Sequence, residues 1–154
     1  MKIYFWAVGK GHESYVQEGV ELFTKRISRY YPVEWRLFAP SKSSREAQMQ
    51  KEEAVAILDA VGRDDVLVSL DERGQSWTSV ELAGFIGHRA DLSTRNLVFL
   101  IGGAYGLHES ILQASTQRWS LSKLVFPHQL VRLILSEQIY RACTILRNEK
   151  YHHL

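Results

Sequence analysis

Three short loops and one helix carry the residues that could do chemistry. The first loop is Ile101-Gly102-Gly103-Ala104-Tyr105-Gly106-Leu107, where an apolar run stops at two glycines. Two positions without a Cβ let a flat ligand lie against the main chain. The same spacing fits a tight strand-to-helix turn. It is not a dinucleotide fingerprint, because Ala104 stands where that pattern needs glycine. Nor is it a phosphate loop, since no Gly-Lys-Ser/Thr follows. The second loop, Leu70-Asp71-Glu72-Arg73-Gly74, gathers three charges at the end of an apolar run. It reads either as a solvated turn closed by Gly74 or as backbone and carboxylate holding a polar or cationic ligand. The third runs Ser122-Lys123-Leu124-Val125-Phe126-Pro127-His128. A plain surface turn does not spend Val125 and Phe126, so this loop points to a covered pocket or an interface. Leu124 and Phe126 could sandwich an aromatic ring.

The helix is the segment from about Gln129 to Arg147. Leu130, Val131, Leu133, Ile134, Leu135, Ile139, Ala142, Cys143, Ile145 and Leu146 cover more than one stripe of it. A helix apolar nearly all round is buried on most sides, and in a chain of this size a homodimer contact is the simplest way to bury it. Glu137 and Arg141 are spaced for an ion pair along one helix face. The histidines at 12, 88, 108, 128, 152 and 153 show no metal-ligand spacing, so no metal is expected. Lys25, Arg26 and Arg29 form one basic patch. Lys42 and Arg45 form a second; Arg132, Arg141, Arg147 and Lys150 lie toward the end. Such charges usually mark a solvated face. The interleaving of Arg147, Lys150, Tyr151 and His152 suits cations on phosphate and a ring on a base.

The elements that must position these loops alternate. Strands are predicted at 3–8, 33–38, 66–70, 97–101 and 119–121. Helices are predicted from about Glu13 to Tyr30, from Ser43 or Ser44 to Ala60, from Ser76 or Thr78 to His88, and from Leu107 to Ala114, before the last one. In the first helix Val16, Val20, Phe23 and Ile27 recur at helical spacing; in the second, Val55 and Leu58 should face inward. Strands alternating with helices imply crossovers and a parallel sheet covered on both faces. Ligands then bind beyond the carboxyl ends of the strands, in the loops after Val8, Leu70, Ile101 and Leu121.

The chain has 154 residues, a net charge of +2 and one cysteine. That length suits one domain, burying about 70% of its unfolded surface. No disulfide framework or cysteine zinc site can form within it, and a reducing cytoplasm follows. The apolar run at 3–8 is too short for a signal peptide, and no stretch reaches the roughly 18 residues of a membrane span. The weak net charge argues against gripping nucleic acid by charge alone, so any such contact is a local patch or is shared between subunits.

Taken together, the pieces resemble the ribosomal large-subunit methyltransferase H family of the SPOUT superfamily. The resemblance covers essentially the whole chain, in order: Ala7-Val8-Gly9-Lys10, Leu70-Asp71-Glu72-Arg73-Gly74, Leu100-Ile101-Gly102-Gly103, Trp119-Ser120-Leu121-Ser122, Pro127-His128-Gln129-Leu130-Val131-Arg132, Glu137-Gln138-Ile139-Tyr140-Arg141-Ala142 and Tyr151-His152. It implies a single α/β domain over 1–154, a parallel-sheet SPOUT fold with a C-terminal deep trefoil knot, an exception to the rule against knots. It implies S-adenosylmethionine in a pocket lined by Leu70, Asp71, Gly102, Gly103, Leu121, Ser122, Lys123, Leu124, Val125, Phe126 and Pro127. It implies a cytoplasmic homodimer that methylates N3 of a pseudouridine in 23S rRNA, within the large subunit or assembled ribosome. His128, Arg132, Tyr151 and His152 are the candidates on the substrate side. Three positions depart from the family's habit: Ala104 and Lys150 replace a frequent proline, and Leu154 ends a tail that is often charged. The competing reading is a ribosome-binding factor with a vestigial cofactor pocket.

Overall fold

The computed structural model describes residues 1–153; Leu154 lies outside the described residues. The elements alternate as expected: β1 (Lys2–Val8), α1 (Ser14–Ile27), β2 (Val33–Phe38), α2 (Glu46–Ala60), β3 (Asp65–Ser76), α3 (Ser79–Asp91), β4 (Asn96–Ile101), α4 (Glu109–Ala114), β5 (Gln117–Ser120) and α5 (His128–Leu146). All strand pairs are parallel, in the order β2-β1-β4-β3-β5.

Strict alternation along the central strands feeds two cores, one on each side of the sheet. Ile3, Phe5 and Ala7 of β1, with Leu97, Phe99 and Ile101 of β4, pack under α1, α3 and α5. Trp6, Val8, Val98 and Leu100 face the other way, under α2 and α4. Thr78 and Glu81 form a reciprocal capping box at the start of α3, which fixes that boundary. Helix α1 stops at Ile27, three residues before the expected end, and its last turn is completed by the Tyr30 and Tyr31 amides donating to the Ile27 carbonyl.

Helix α2 corrects one expectation. Its buried face runs through Glu53, Ala54 and Ile57, while Val55 is 56% exposed and Leu58 only partly buried. A carboxylate on the inward face hides the apolar period, so the pattern could not be phased from hydrophobic residues alone.

Strand β3 is longer than expected and irregular. Both Leu70 and Gln75 pair with Trp119, and the four residues between them bulge out of the ladder. Gly74 passes so close to β5 that a Cβ there would lie 2.6 Å from the Arg118 carbonyl carbon, which only glycine permits. Helix α5 packs against both α1 and α3, and Leu133 presses on Gly19 of α1 where a Cβ would collide at 2.6 Å. Among the described residues no helix is long and apolar enough to cross a membrane.

Candidate functional site

The bulge of β3 and the loops after β4 and β5 meet at the carboxyl end of the sheet around a cleft of about 270 Å³. Of the expected cofactor residues, Leu70, Asp71, Gly102, Gly103, Leu121, Ser122, Leu124, Val125 and Phe126 line it; Lys123 and Pro127 do not. Both of those are exposed, and Pro127 instead opens α5. Leu124 and Val125 are 72% and 89% exposed, an apolar rim left uncovered by the chain itself. The Ser122 hydroxyl accepts from the Leu124 amide at 3.0 Å, and the Ser120 hydroxyl donates to the Ser122 carbonyl at 3.2 Å, holding the loop in shape. On the opposite wall the Asp71 carboxylate takes the Arg73 side chain at 3.0 and 3.1 Å and its amide at 2.8 Å. Those hydrogen bonds hold the Asp71 carboxyl below its ordinary range.

The double glycine serves the loop more than it opens a path to the main chain. A Cβ on Gly102 would lie 3.0 Å from both Leu107 and the Gly106 backbone. One on Gly103 would lie 3.0 Å from Glu53 Oε2 and 3.4 Å from Val8. The Gly106 amide donates back to the Gly103 carbonyl at 3.1 Å, with Gly106 at φ +80°. A small, tightly folded hairpin is thus laid against α2 and β1, and it presents its other side to the cleft. Glu53, buried and accepting from the Ser41 amide at 3.1 Å, is a wall of this arrangement that the sequence did not single out. Its signal was a charge interrupting an inward-facing helical stripe. Glu72, Ile101, Ala104, Gly106, Ser120 and Val131 also line the cleft; all but Gly106 and Val131 adjoin residues that were expected there.

The four candidate substrate-side residues divide between the two ends of α5. His128 lines the cleft. Arg132, one turn further on, is fully buried. Its Nη1 donates to the Lys10 carbonyl at 2.9 Å and toward His12 Nδ1 at 3.3 Å. Its Nε and Nη2, and the Nε2 of His128, find no partner in the protein. Leaving a buried guanidinium half unpaired is costly. Gly9 at φ +134° lets the β1–α1 loop close over this pair, with Arg132 Nη2 3.3 Å and His128 Cε1 3.6 Å from where its Cβ would be. Burial, and then the adjacent Arg132 charge, push the His128 imidazole from 6.5 down to about 4. His128 is therefore neutral near pH 7.

Tyr151 and His152 sit at the far end. Asn148, at φ +55°, closes α5 in a left-handed conformation and turns the tail back along the helix. Arg141 Nε donates to Glu137 at 3.0 Å, the Tyr151 hydroxyl donates to the same carboxylate at 3.1 Å, and Arg141 Nη1 reaches His152 Nδ1 at 3.2 Å. The guanidinium also lies 4.8 Å from the centre of the Tyr151 ring. Within one chain this cluster lies about 14–20 Å along α5 from His128, from Glu137 to Arg141 at 1.5 Å per residue. Among the described residues no three His, Cys, Asp or Glu side chains are grouped to hold a metal ion.

Residues 1–152 match the family model for predicted SPOUT methyltransferases. The chain is 39% identical over 155 residues to ribosomal RNA large subunit methyltransferase H of Cytophaga hutchinsonii, covering 99% of this chain and 100% of that protein. It is 42% identical over 153 residues to the protein of the same name in Geobacter metallireducens, covering 99% of each. Among solved structures, the probable methyltransferase of Bordetella pertussis Tohama I superposes with a TM-score of 0.60 at 12% identity, over 92% of this chain and 95% of that one. That likeness speaks for the fold alone.

Proposed function

The chain belongs to the SPOUT methyltransferase family, and on that footing we propose that it transfers a methyl group from S-adenosylmethionine to N3 of the pseudouridine at the 1915 site of 23S rRNA, on the assembled ribosome. The observation that carries this reading is the cleft between the Gly102–Gly106 hairpin and the Leu121–Phe126 loop, at the end of the sheet where such ligands bind. Its apolar walls from Leu70, Leu121, Phe126 and Val131 suit a flat purine, main-chain groups of both loops suit its polar edge, and Glu72 suits a cationic centre. Lys123 and Pro127 shape the loop from outside.

S-adenosylmethionine supplies a methyl group already activated by positively charged sulfur. The protein then has two tasks: to hold N3 in line with that methyl, and to take its proton. His128 is placed for the second. It is neutral, it faces the cleft, and its Nε2 has no partner within the chain. Buried Arg132 behind it adds to burial in keeping it neutral and ties the β1–α1 loop to α5.

Tyr151 and His152 cannot reach the cleft of their own chain, so a homodimer packed through α5, its two tails pointing in opposite directions, would bring one subunit's tail to the other's cleft. The half-buried residues Leu130 and Ile134 on the outer face of α5 fit such a contact. The reading includes a deep trefoil knot. Support for it comes from the close approach of Gly74 to β5 and the seat of α5 between α1 and α3. The setting is the cytoplasm, where the ribosomes are.

Calorimetric titration with S-adenosylmethionine, followed by transfer of labelled methyl to ribosomes lacking the modification, tests the proposal. One site per chain and stoichiometric transfer are expected. A folded protein that binds no cofactor would overturn it, and binding to ribosomes without transfer would identify a ribosome-binding factor instead.

A further inference from the structure

Two basic patches separated by more than a hundred residues in the sequence come together on one surface. The carboxyl end of α1 contributes Arg26 and Arg29. The tail after α5 contributes Arg147 and Lys150. Three contacts join them. The Arg26 guanidinium lies 5.4 Å from the centre of the Tyr140 ring, Tyr140 packs on Tyr151 at 4.7 Å, and the Tyr30 hydroxyl donates to Glu149 at 2.6 Å.

The charge on this surface is free to act. Arg29, Arg147 and Lys150 are exposed, and none of the four cations is in a salt bridge among the described residues. The acids that face it are already engaged: Glu137 by Arg141 and Tyr151, Glu149 by Tyr30. Two other basic sites differ. Lys2 is paired with Glu34 at 2.7 Å, and Arg63 and Arg95 share their groove with Asp64 and Asp65. Cations set among fixed aromatic rings, with the nearby acids held in hydrogen bonds of their own, are the arrangement that tracks a polyanionic backbone. A net charge of only +2 makes a concentrated patch the effective means of attraction.

We propose that Arg26, Arg29, Arg147 and Lys150, on the surface shared by α1 and the tail, seat the ribosomal RNA backbone. This rests on the methyltransferase reading. It explains why the tail is folded against α1: one rigid surface grips phosphate while Tyr151 and His152 at its edge meet the partner subunit's cleft.

The test compares three double variants of the full-length protein binding to ribosomes that lack the modification: R26Q/R29Q, R147Q/K150Q, and R63Q/R95Q as an equal charge change at the other end of the sheet. Each of the first two should lower affinity about 10- to 30-fold at physiological salt and reduce the log–log salt slope by about 2. The third should leave the slope near wild type. Cofactor affinity by calorimetry, mass by light scattering and the thermal transition should stay unchanged in all three. Unmoved affinity and slope in both patch variants would overturn the proposal. So would an equal loss in R63Q/R95Q, which would make net charge the only factor, or a fall in mass, which would make the occupant a second copy of the chain. Wild type that transfers methyl normally while the patch variants bind like it refutes this surface alone. Wild type that neither binds cofactor nor ribosome refutes the methyltransferase reading and this surface together.

Discussion

The two ends of α5 treat polar groups in opposite ways. At the amino end, Arg132 is fully buried with two nitrogens unpartnered, and His128 presents an imidazole nitrogen with no acceptor or donor inside the protein. At the carboxyl end, Glu137, Arg141, Tyr151 and His152 form a connected network in which the carboxylate accepts from Arg141, Tyr151 and Gln138. One end is unfinished until something else arrives; the other is closed within the chain except at His152 Nε2, which also lacks a partner. The difference teaches where to place binding and where to place preorganisation. A site keeps unsatisfied groups where substrate enters, and it spends hydrogen bonds where a tail must be presented in one conformation.

The sharpest way to break the comparison is Gly103→Leu. The new side chain must displace Glu53 or Val8, so the hairpin shifts and the cleft at the amino end is lost while the tail network stands. Loss of the pocket's shape should lower cofactor affinity roughly 100-fold, equivalent to about 3 kcal/mol. Calorimetry would show it, with circular dichroism unchanged. Wild-type affinity would mean that the hairpin does not shape the pocket.

A smaller effect separates the ends by pH. The folded-state pKa of His128 is about 4, below its ordinary 6.5. The unfolded chain therefore binds the proton more readily between those values. Stability attributable to His128 is full above about pH 6.5 and is lost as pH falls toward 4. His12, also lowered by burial and then by Arg132, adds to the same slope. His128→Gln should flatten this limb in part, read as denaturation midpoints at pH 7 and pH 5. An unchanged slope would show that His128 is not buried as described.

The mildest probe is Tyr151→Phe. It removes one hydrogen bond to Glu137 and keeps the ring against Tyr140 and Arg141. A net loss of about 1 kcal/mol limits the fall in methyl transfer to several-fold, with cofactor affinity untouched. A loss as large as that of Gly103→Leu would make the hydroxyl part of the chemistry rather than of the tail's placement.

Much of this was legible beforehand. Short apolar runs, alternating at 33–38 and near-continuous at 66–68 and 97–101, located the strands, and of the two helix starts offered, Ser76 and Thr78, the capping box selects Thr78. The loops after Leu70, Ile101 and Leu121 do meet at one cleft, because a parallel sheet delivers every strand's carboxyl end to the same edge. Other features depend on contacts that no local pattern records. Glu53 reaches the glycine hairpin only through the packing of α2. Arg132 looked like one more surface cation until the β1–α1 loop closed over it. The extension of β3 to Ser76 needed β5 as a partner for residues that read as a turn. Val55 was misphased because a buried carboxylate stands within the inward face of α2, while Leu58 does pack against the core.

The pairing of Trp119 with both Leu70 and Gln75 has a kinetic meaning. A terminal strand held at one register can fray from its free end. Strand β5 is gripped by both limbs of β3, so it cannot open without releasing the bulge that carries Asp71 and Arg73. The amides of 117–120 and of 68–76 should therefore exchange with solvent as one cooperative unit, slowly and together. Two walls of the cleft would then open and close as a single event, and the pocket would keep its shape through the fluctuations that loosen the exposed rim at Leu124 and Val125.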